Sequence, residues 1–271
     1  MENYIYSPLI SVLISVLLTM GCYSFGKLII DRFKLNSIIS KVSYVEFQYL
    51  SFGLLILIII IFPLVAFFSF SNMLLKVTSI ILCFLSTIFL KEFKFFYKKI
   101  KHHYKDNFFK IFLFIVTLYF LLSLSPLTSA DTLDYHVGSA LNILRFDKYV
   151  LFPEWFTSLQ SGTGETLIAL GLVIGAEQFG NIVQFSSVLT ISGIFLKIHE
   201  NFKAFDSQFF LPITVLSCPI LLFLLSGNKP QIFYSSLLFF ALALNFIKLE
   251  NEKEKLISYF IINILIFSCI V

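Results

Sequence analysis

Apolar runs of about twenty residues, repeated along the whole chain, decide what this sequence can fold into. The stretch LSFGLLILIIIIFPLVAFFSF, residues 50–70, has no charged side chain. At 1.5 Å of helical rise per residue, a run of that length covers a hydrocarbon layer of ~30 Å. The 271 residues are 58% hydrophobic and 13% charged, with a mean hydropathy of +0.91. A soluble core cannot hide that much apolar surface, so the bilayer is the expected solvent. A backbone in lipid must satisfy its own hydrogen bonds, and the sequence therefore predicts an all-α, polytopic transmembrane helical bundle. The 35 Phe are spread through these runs without a recurring offset and read as lipid-facing and packing residues.

Breaks at charged and turn-forming residues divide the runs into about eight expected spans: 9–30, 48–69, 73–90, 109–127, 178–197, 208–226, 230–248 and 256–271. A shorter apolar piece, 165–176, is too brief to cross and reads as an interfacial or re-entrant helix. Residues 1–108 form an N-terminal three-span region and 109–271 the remaining core. The N-terminus has no basic residue before the first run, which predicts an uncleaved span. Cys22, Cys83, Cys218 and Cys269 each stand alone in an apolar run, so neither a disulfide framework nor a zinc site is readable.

Orientation follows from the basic residues, which stay cytoplasmic. Lys27, Arg32, Lys34 and Lys41 fall in the first connection, a run from Lys91 to Lys110 in the third, then Lys197 and Lys203, then Lys248, Lys253 and Lys255. Eight crossings put all of these on one side. The aromatic-laced basic stretch KEFKFFYKKIKHHYKDNFFK lies beside a span and reads as a topology determinant on anionic headgroups, with no nucleic-acid partner and no metal at His102 or His103. The opposite side then holds the long segment 128–164, an extracytoplasmic loop with amphipathic helices.

That loop carries the candidate chemistry. A helix starting at Asp131 gathers Asp131, Asp134, Tyr135, Gly138, Asn142 and Arg145 on one face and Leu133, Val137, Ala140 and Leu144 on the other. Two carboxylates three residues apart repel, which favours one of them as a base; the same pair, Asp131 and Asp134, suits a divalent cation. Arg145 supplies a planar donor for a phosphate or carboxylate. Each feature also has a plainer role: Asp131 as N-cap with Asp134 in the first turn, His136 packed at the edge of the apolar stripe, Arg145 and Lys148 snorkelling to headgroups, Tyr149 and Trp155 in an interfacial belt.

The string Asp131-Thr132-Leu133-Asp134-Tyr135-His136, after a span and Pro126 and before Gln160 and Glu165, resembles the first extracytoplasmic loop of GT-C glycosyltransferases. Within them it looks like the branch of protein mannosyltransferases and lipopolysaccharide-modifying transferases. The resemblance covers about residues 109–250. It implies a bacterial inner-membrane enzyme with Asp131 as catalytic base and Asp134 beside it. Tyr135, His136, Arg145, Gln160, Glu165 and Lys229 become expected substrate contacts. Family members commonly carry an acidic residue in the later outer turn that here reads Ser226-Gly227-Asn228-Lys229-Pro230, and they resemble chains of a dozen or so spans, so this chain reads as the N-terminal part of a longer protein.

The implied donor is a polyprenyl-phosphate sugar, because nucleotide sugars are cytoplasmic and the candidate site faces away from them; membrane lipids and a glycan, lipid or protein acceptor are the other expected partners. Two other classes fit the same sequence. A transporter or flippase would use Pro63, Pro212 and Pro219 as breaks in its spans, although the spans hold almost no ionisable residue at mid-depth. A non-catalytic membrane subunit would bind a partner through the outer loop.

Overall fold

The computed structural model describes residues 7–103, 105–128, 130, 132–150, 162–202, 206–227, 230–247 and 251–270, and every regular element among them is helical. In chain order these are α1 (Pro8–Arg32), α2 (Asn36–Ile39), a 3₁₀ turn (Val45–Phe47), α3 (Tyr49–Phe67), α4 (Ser71–His103) and α5 (Asn107–Ser123). A π-helical turn (Thr132–Val137) leads directly into α6 (Gly138–Phe146). The rest are α7 (Thr163–Leu172), α8 (Phe179–Phe202), α9 (Phe210–Leu216), α10 (Pro219–Leu225), α11 (Gln231–Asn245) and α12 (Glu252–Ile270).

Among the described residues, α1, α3, α8 and the segment Ser71–Phe89 of α4 are long and apolar enough to cross a membrane. Large apolar side chains on their outer faces, such as Leu9, Leu13, Ile60, Met73 and Phe84, are exposed, a surface that water would oppose and lipid accepts. This is the architecture of a helical membrane protein.

α1, α3 and α4 pack through glycines that admit a neighbouring backbone. A Cβ on Gly21 would lie 1.9 Å from the Leu82 carbonyl oxygen, one on Gly26 1.8 Å from that of Tyr49, and one on Gly53 2.0 Å from that of Cys22. Lipid tails provide no hydrophobic drive between helices, so such close approach and interhelical hydrogen bonds hold the bundle together. The bonds are supplied largely by α8. Ser51 on α3 meets the Thr190 hydroxyl at 2.6 Å, Gln48 donates to the Thr190 carbonyl, and Ser11 on α1 donates to Gln178 just before α8.

Contacts sort the connections onto the two ends of α1. Beside its Arg32 end, Lys41 pairs with Glu254 at 2.7 Å and the Tyr44 amide donates to Gly193 of α8; burial, and next Glu200, push the Tyr44 phenol above its usual range. Around its Ser11 end lie the Glu177–Gln178 turn and the turn between α3 and α4.

Two sequence expectations change. The expected span 208–226 is two seven-residue helices, because Pro219 cannot continue α9 and instead starts α10. The short piece 165–176 does not lie on a lipid surface: every residue of α7 is buried, wedged against α3, α4, α6 and α8.

Replacing Gly53 with Val inserts three carbons where backbone already stands, and the expected outcome is a loss of about 2–3 kcal/mol. Thermal unfolding of the detergent-solubilised protein checks it, with Phe84→Ala, on the exposed face of α4, as comparison.

Candidate functional site

The loop region is built onto the bundle by local capping chemistry. α6 ends at Asp147, whose backbone adopts φ 56°, a left-handed conformation tolerated best by Gly, Asn and Asp. There its carbonyl accepts from the Ser71 amide and its carboxylate Oδ1 accepts from the Asn72 amide at 2.6 Å. Asp147 thus caps the start of α4, where a negative charge also meets the positive end of the helix dipole. Two residues on, the Tyr149 amide donates to the Val65 carbonyl and its ring packs edge-on against Phe62.

α7 is fixed at its own start. The Gly162 amide donates to Glu165 Oε2 at 2.6 Å, the reciprocal half of a capping box. Thr163 bonds the Tyr234 hydroxyl, and Gly164 lies so close to Pro230 that a Cβ would stand 2.4 Å from its ring. The N-terminus of α7 therefore sits against the start of α11.

Between these anchors lies a buried hydrogen-bonded contact that connects residues 29 apart in sequence. His136 Nδ1 and Glu165 Oε1 are 2.7 Å apart, with the two side chains 2% and 3% exposed. Glu165 has both oxygens engaged, one by the imidazole and one by the Gly162 amide. His136 Nε2 has no hydrogen-bond partner among the described residues. The Tyr135 ring lies tilted beside the imidazole, centroids 4.1 Å apart.

The π-helical turn decides which side chains face inward. An α-helix from Asp131 would bury Leu133; instead Leu133 is 47% exposed, while Thr132, His136, Val137, Ser139, Ala140, Ile143 and Leu144 are buried. A π turn carries more residues per revolution, so the face computed with a 3.6-residue period is rotated. The expected outer face is otherwise as read: Asp134 and Arg145 are exposed, and Tyr135, Gly138 and Asn142 lie partly open. Glu165, expected as a substrate contact, is instead held inside and touches the imidazole. Asp131, Gln160 and Lys229 lie outside the described residues.

Among the described residues no group of three or more His, Cys, Asp or Glu side chains is placed to hold a metal ion. Of the carboxylate pair expected to suit a divalent cation, only Asp134 is described, and it stands on the exposed face. Sequence reasoning also missed polar groups on α8: Asn181, Gln184 and Ser187 are buried, and both amide atoms of Asn181, the Gln184 amide oxygen and the Ser187 hydroxyl have no partner among the described residues. Their spacing of three along an apolar run was the available signal.

Replacing His136 with Leu leaves the Glu165 carboxylate buried against an apolar side chain, and the expected cost is about 3 kcal/mol. The double replacement H136L/E165Q removes the stranded charge while leaving an amide oxygen to accept from the Gly162 amide, and it should recover most of that loss, which a double-mutant cycle on unfolding midpoints measures.

Residues 88–271, more than half of the chain, match the model of the family described as the DUF1420 N-terminal domain. No curated protein and no solved structure matches the chain.

Proposed function

This chain belongs to the DUF1420 family, and we propose that it is a membrane glycosyltransferase, of the kind that the GT-C resemblance implies, moving a sugar from a polyprenyl-phosphate donor to an acceptor at the extracytoplasmic face. One observation carries the reading. The string Thr132 to His136 forms a π-helical turn locked to α7 by the His136–Glu165 pair, and it continues into α6, which is docked at the α3–α4 turn, with Asp134 and Arg145 turned outward. π-helical turns recur at functional sites, and an acid and a guanidinium on one outward face suit proton removal beside a phosphate.

In this proposal α5, the α9–α10 pair, α11 and α12 cross the membrane along with the four longer helices, giving eight spans. The basic connections are cytoplasmic, 128–164 is extracytoplasmic, and the membrane is the bacterial inner membrane. The pairing of Lys41 with Glu254 at the Arg32 end of α1 supports that arrangement, because it joins two connections assigned to the same side. Asp131 takes the proton from an acceptor hydroxyl, whose oxygen attacks the anomeric carbon from the face opposite the phosphate. The bond from that carbon to the phosphate oxygen breaks, and the lipid phosphate leaves with the bonding pair beside Arg145, with Lys229 as a second cation. Glu165 acts through His136.

A transport reading draws on a different observation, the Asn181 amide and the Gln184 amide oxygen inside α8, unpartnered among the described residues. Polar groups within a span are where a translocated substrate would be met.

Transfer from a radiolabelled polyprenyl-phosphate sugar in membranes holding the complete reading frame separates the two. Asp131→Asn should lower transfer by 10²–10⁴-fold, the usual worth of a general base; undiminished transfer removes Asp131 from the role. Substrate flux in proteoliposomes without any transfer supports transport. In a background carrying C218S, the variant D134C should react with a membrane-impermeant maleimide added from outside the cell, and reaction only from the cytosolic side removes the donor scheme.

A further inference from the structure

We infer that the buried face formed by Thr132, His136 and Ser139 is a subsite for the hydroxyl groups of a sugar, with Glu165 as the positioning residue that makes His136 Nε2 a hydrogen-bond acceptor. The inference rests on the transferase reading only for the ligand class; the subsite itself stands on geometry.

Thr132 Oγ1, His136 Nε2 and Ser139 Oγ are spaced at i, i+4 and i+7 along one continuous π-to-α stretch. Each belongs to a side chain no more than 5% exposed, and each lacks a hydrogen-bond partner among the described residues. A buried polar atom left unpaired costs about 1–3 kcal/mol, and nearly all such atoms in native proteins find partners. Three in a row on one face are therefore a polar surface awaiting a polar ligand. Val137, Ala140, Ile143 and Leu144 beside them supply the packing that a purely structural face requires.

The His136–Glu165 contact determines what that ligand offers. An ionised carboxylate only accepts hydrogen bonds, so Nδ1 carries the hydrogen given to Glu165 Oε1 at 2.7 Å. With the ring neutral, as the inference requires, hydrogen on Nδ1 leaves a bare lone pair at Nε2. That atom takes a hydrogen bond from an O–H group and finds none on an ionised phosphodiester. The flanking hydroxyls of Thr132 and Ser139 both donate and accept, which matches the vicinal hydroxyls of a pyranose. The Tyr135 ring, partly open and 4.1 Å from the imidazole centroid, offers an aromatic surface for the C–H face of the same ring. The strip lies beneath the surface, so the sugar enters by a local opening of the sort that binding loops make.

The test uses the full chain in phospholipid nanodiscs with ¹⁵N-imidazole histidine. The sequence has 4 His, and loss of signal in H136Q assigns the resonance; should that variant not fold, elimination through H102Q, H103Q and H199Q assigns it equally. Two probes are compared, a short prenyl phosphate bearing a hexose and the same prenyl phosphate without it. A pyridine-type Nε2 signal is expected, moved by the hexose-bearing probe and untouched by the bare phosphate. T132V and S139A should each weaken binding of the hexose probe about five- to tenfold, the worth of one hydrogen bond, and leave the bare probe unaffected. E165Q should spread the pyridine-type signal over both ring nitrogens. Equal movement with the bare phosphate makes the strip a phosphate contact and overturns the inference, as does a silent Nε2 with either probe. Binding without transfer keeps the subsite and removes the transferase; transfer with a silent Nε2 does the reverse.

Discussion

The backbone-to-backbone contact of α1 with α3 and α4 is the constraint on which the remaining geometry depends. Gly21, Gly26 and Gly53 let three apolar helices approach until a Cβ would overlap a carbonyl oxygen, and that approach sets their relative height. With the height set, the turn between α3 and α4 becomes a socket whose exposed amides, Ser71 and Asn72, are met by Asp147. Asp147 in turn fixes the C-terminal end of α6, and the π-helical turn at the other end of the same stretch presents His136 to α7. Packing of small residues in one region is thereby transmitted to the orientation of the π-helical turn through the hydrogen bonds of Asp147.

α8 shows the complementary half of the design. Where α4 turns apolar side chains outward, α8 turns hydroxyls and amides inward, toward Ser51 and Gln48 on the α3 side. Interhelical hydrogen bonds between membrane helices average only about 0.6 kcal/mol, so their main effect is on register and partner choice. An apolar helix slides easily along its neighbours; one whose Thr190 must meet Ser51 does not. The unpartnered Asn181, Gln184 and Ser187 on the same helix do not serve that purpose, and they mark the stretch of α8 that helix packing alone leaves unexplained.

Much of this was legible in the sequence, and the failures have separate causes. Each of the eight apolar runs contains helix in the structure, because continuous hydrophobicity is itself the signal for a lipid-exposed or buried helix. The break at Pro219 was visible as a proline but not as the end of one helix and the start of another. α7 looked interfacial because its length is short of a span, and length says nothing about whether neighbours cover it. The outward turn of Leu133 was unreadable for a different reason: a helical wheel assumes 3.6 residues per turn, and a π turn violates that assumption over these very residues, while a packed His136 was one of the two roles the sequence offered. The His136–Glu165 contact joins two segments separated by 29 positions, and no local pattern encodes such a pairing.

A buried histidine–glutamate pair is a poor way to gain stability, since desolvating a charge costs as much as the pairing returns, and apolar replacements of similar volume commonly do as well. In a bundle whose interior is otherwise apolar and hydroxyl-bearing, the pair is better understood through what it does to one atom. Glu165 is itself immobilised, its second oxygen held by the Gly162 amide at the start of α7, so it cannot rotate to release the imidazole. A carboxylate held in this place favours hydrogen on Nδ1, which in a neutral ring leaves the lone pair at Nε2. A carboxylate that holds a helix start with one oxygen and a tautomer with the other converts a structural cap into a chemical specification, and it ties the recognition face of the π-helical turn to the same rigid helix that packs against α3, α4 and α8.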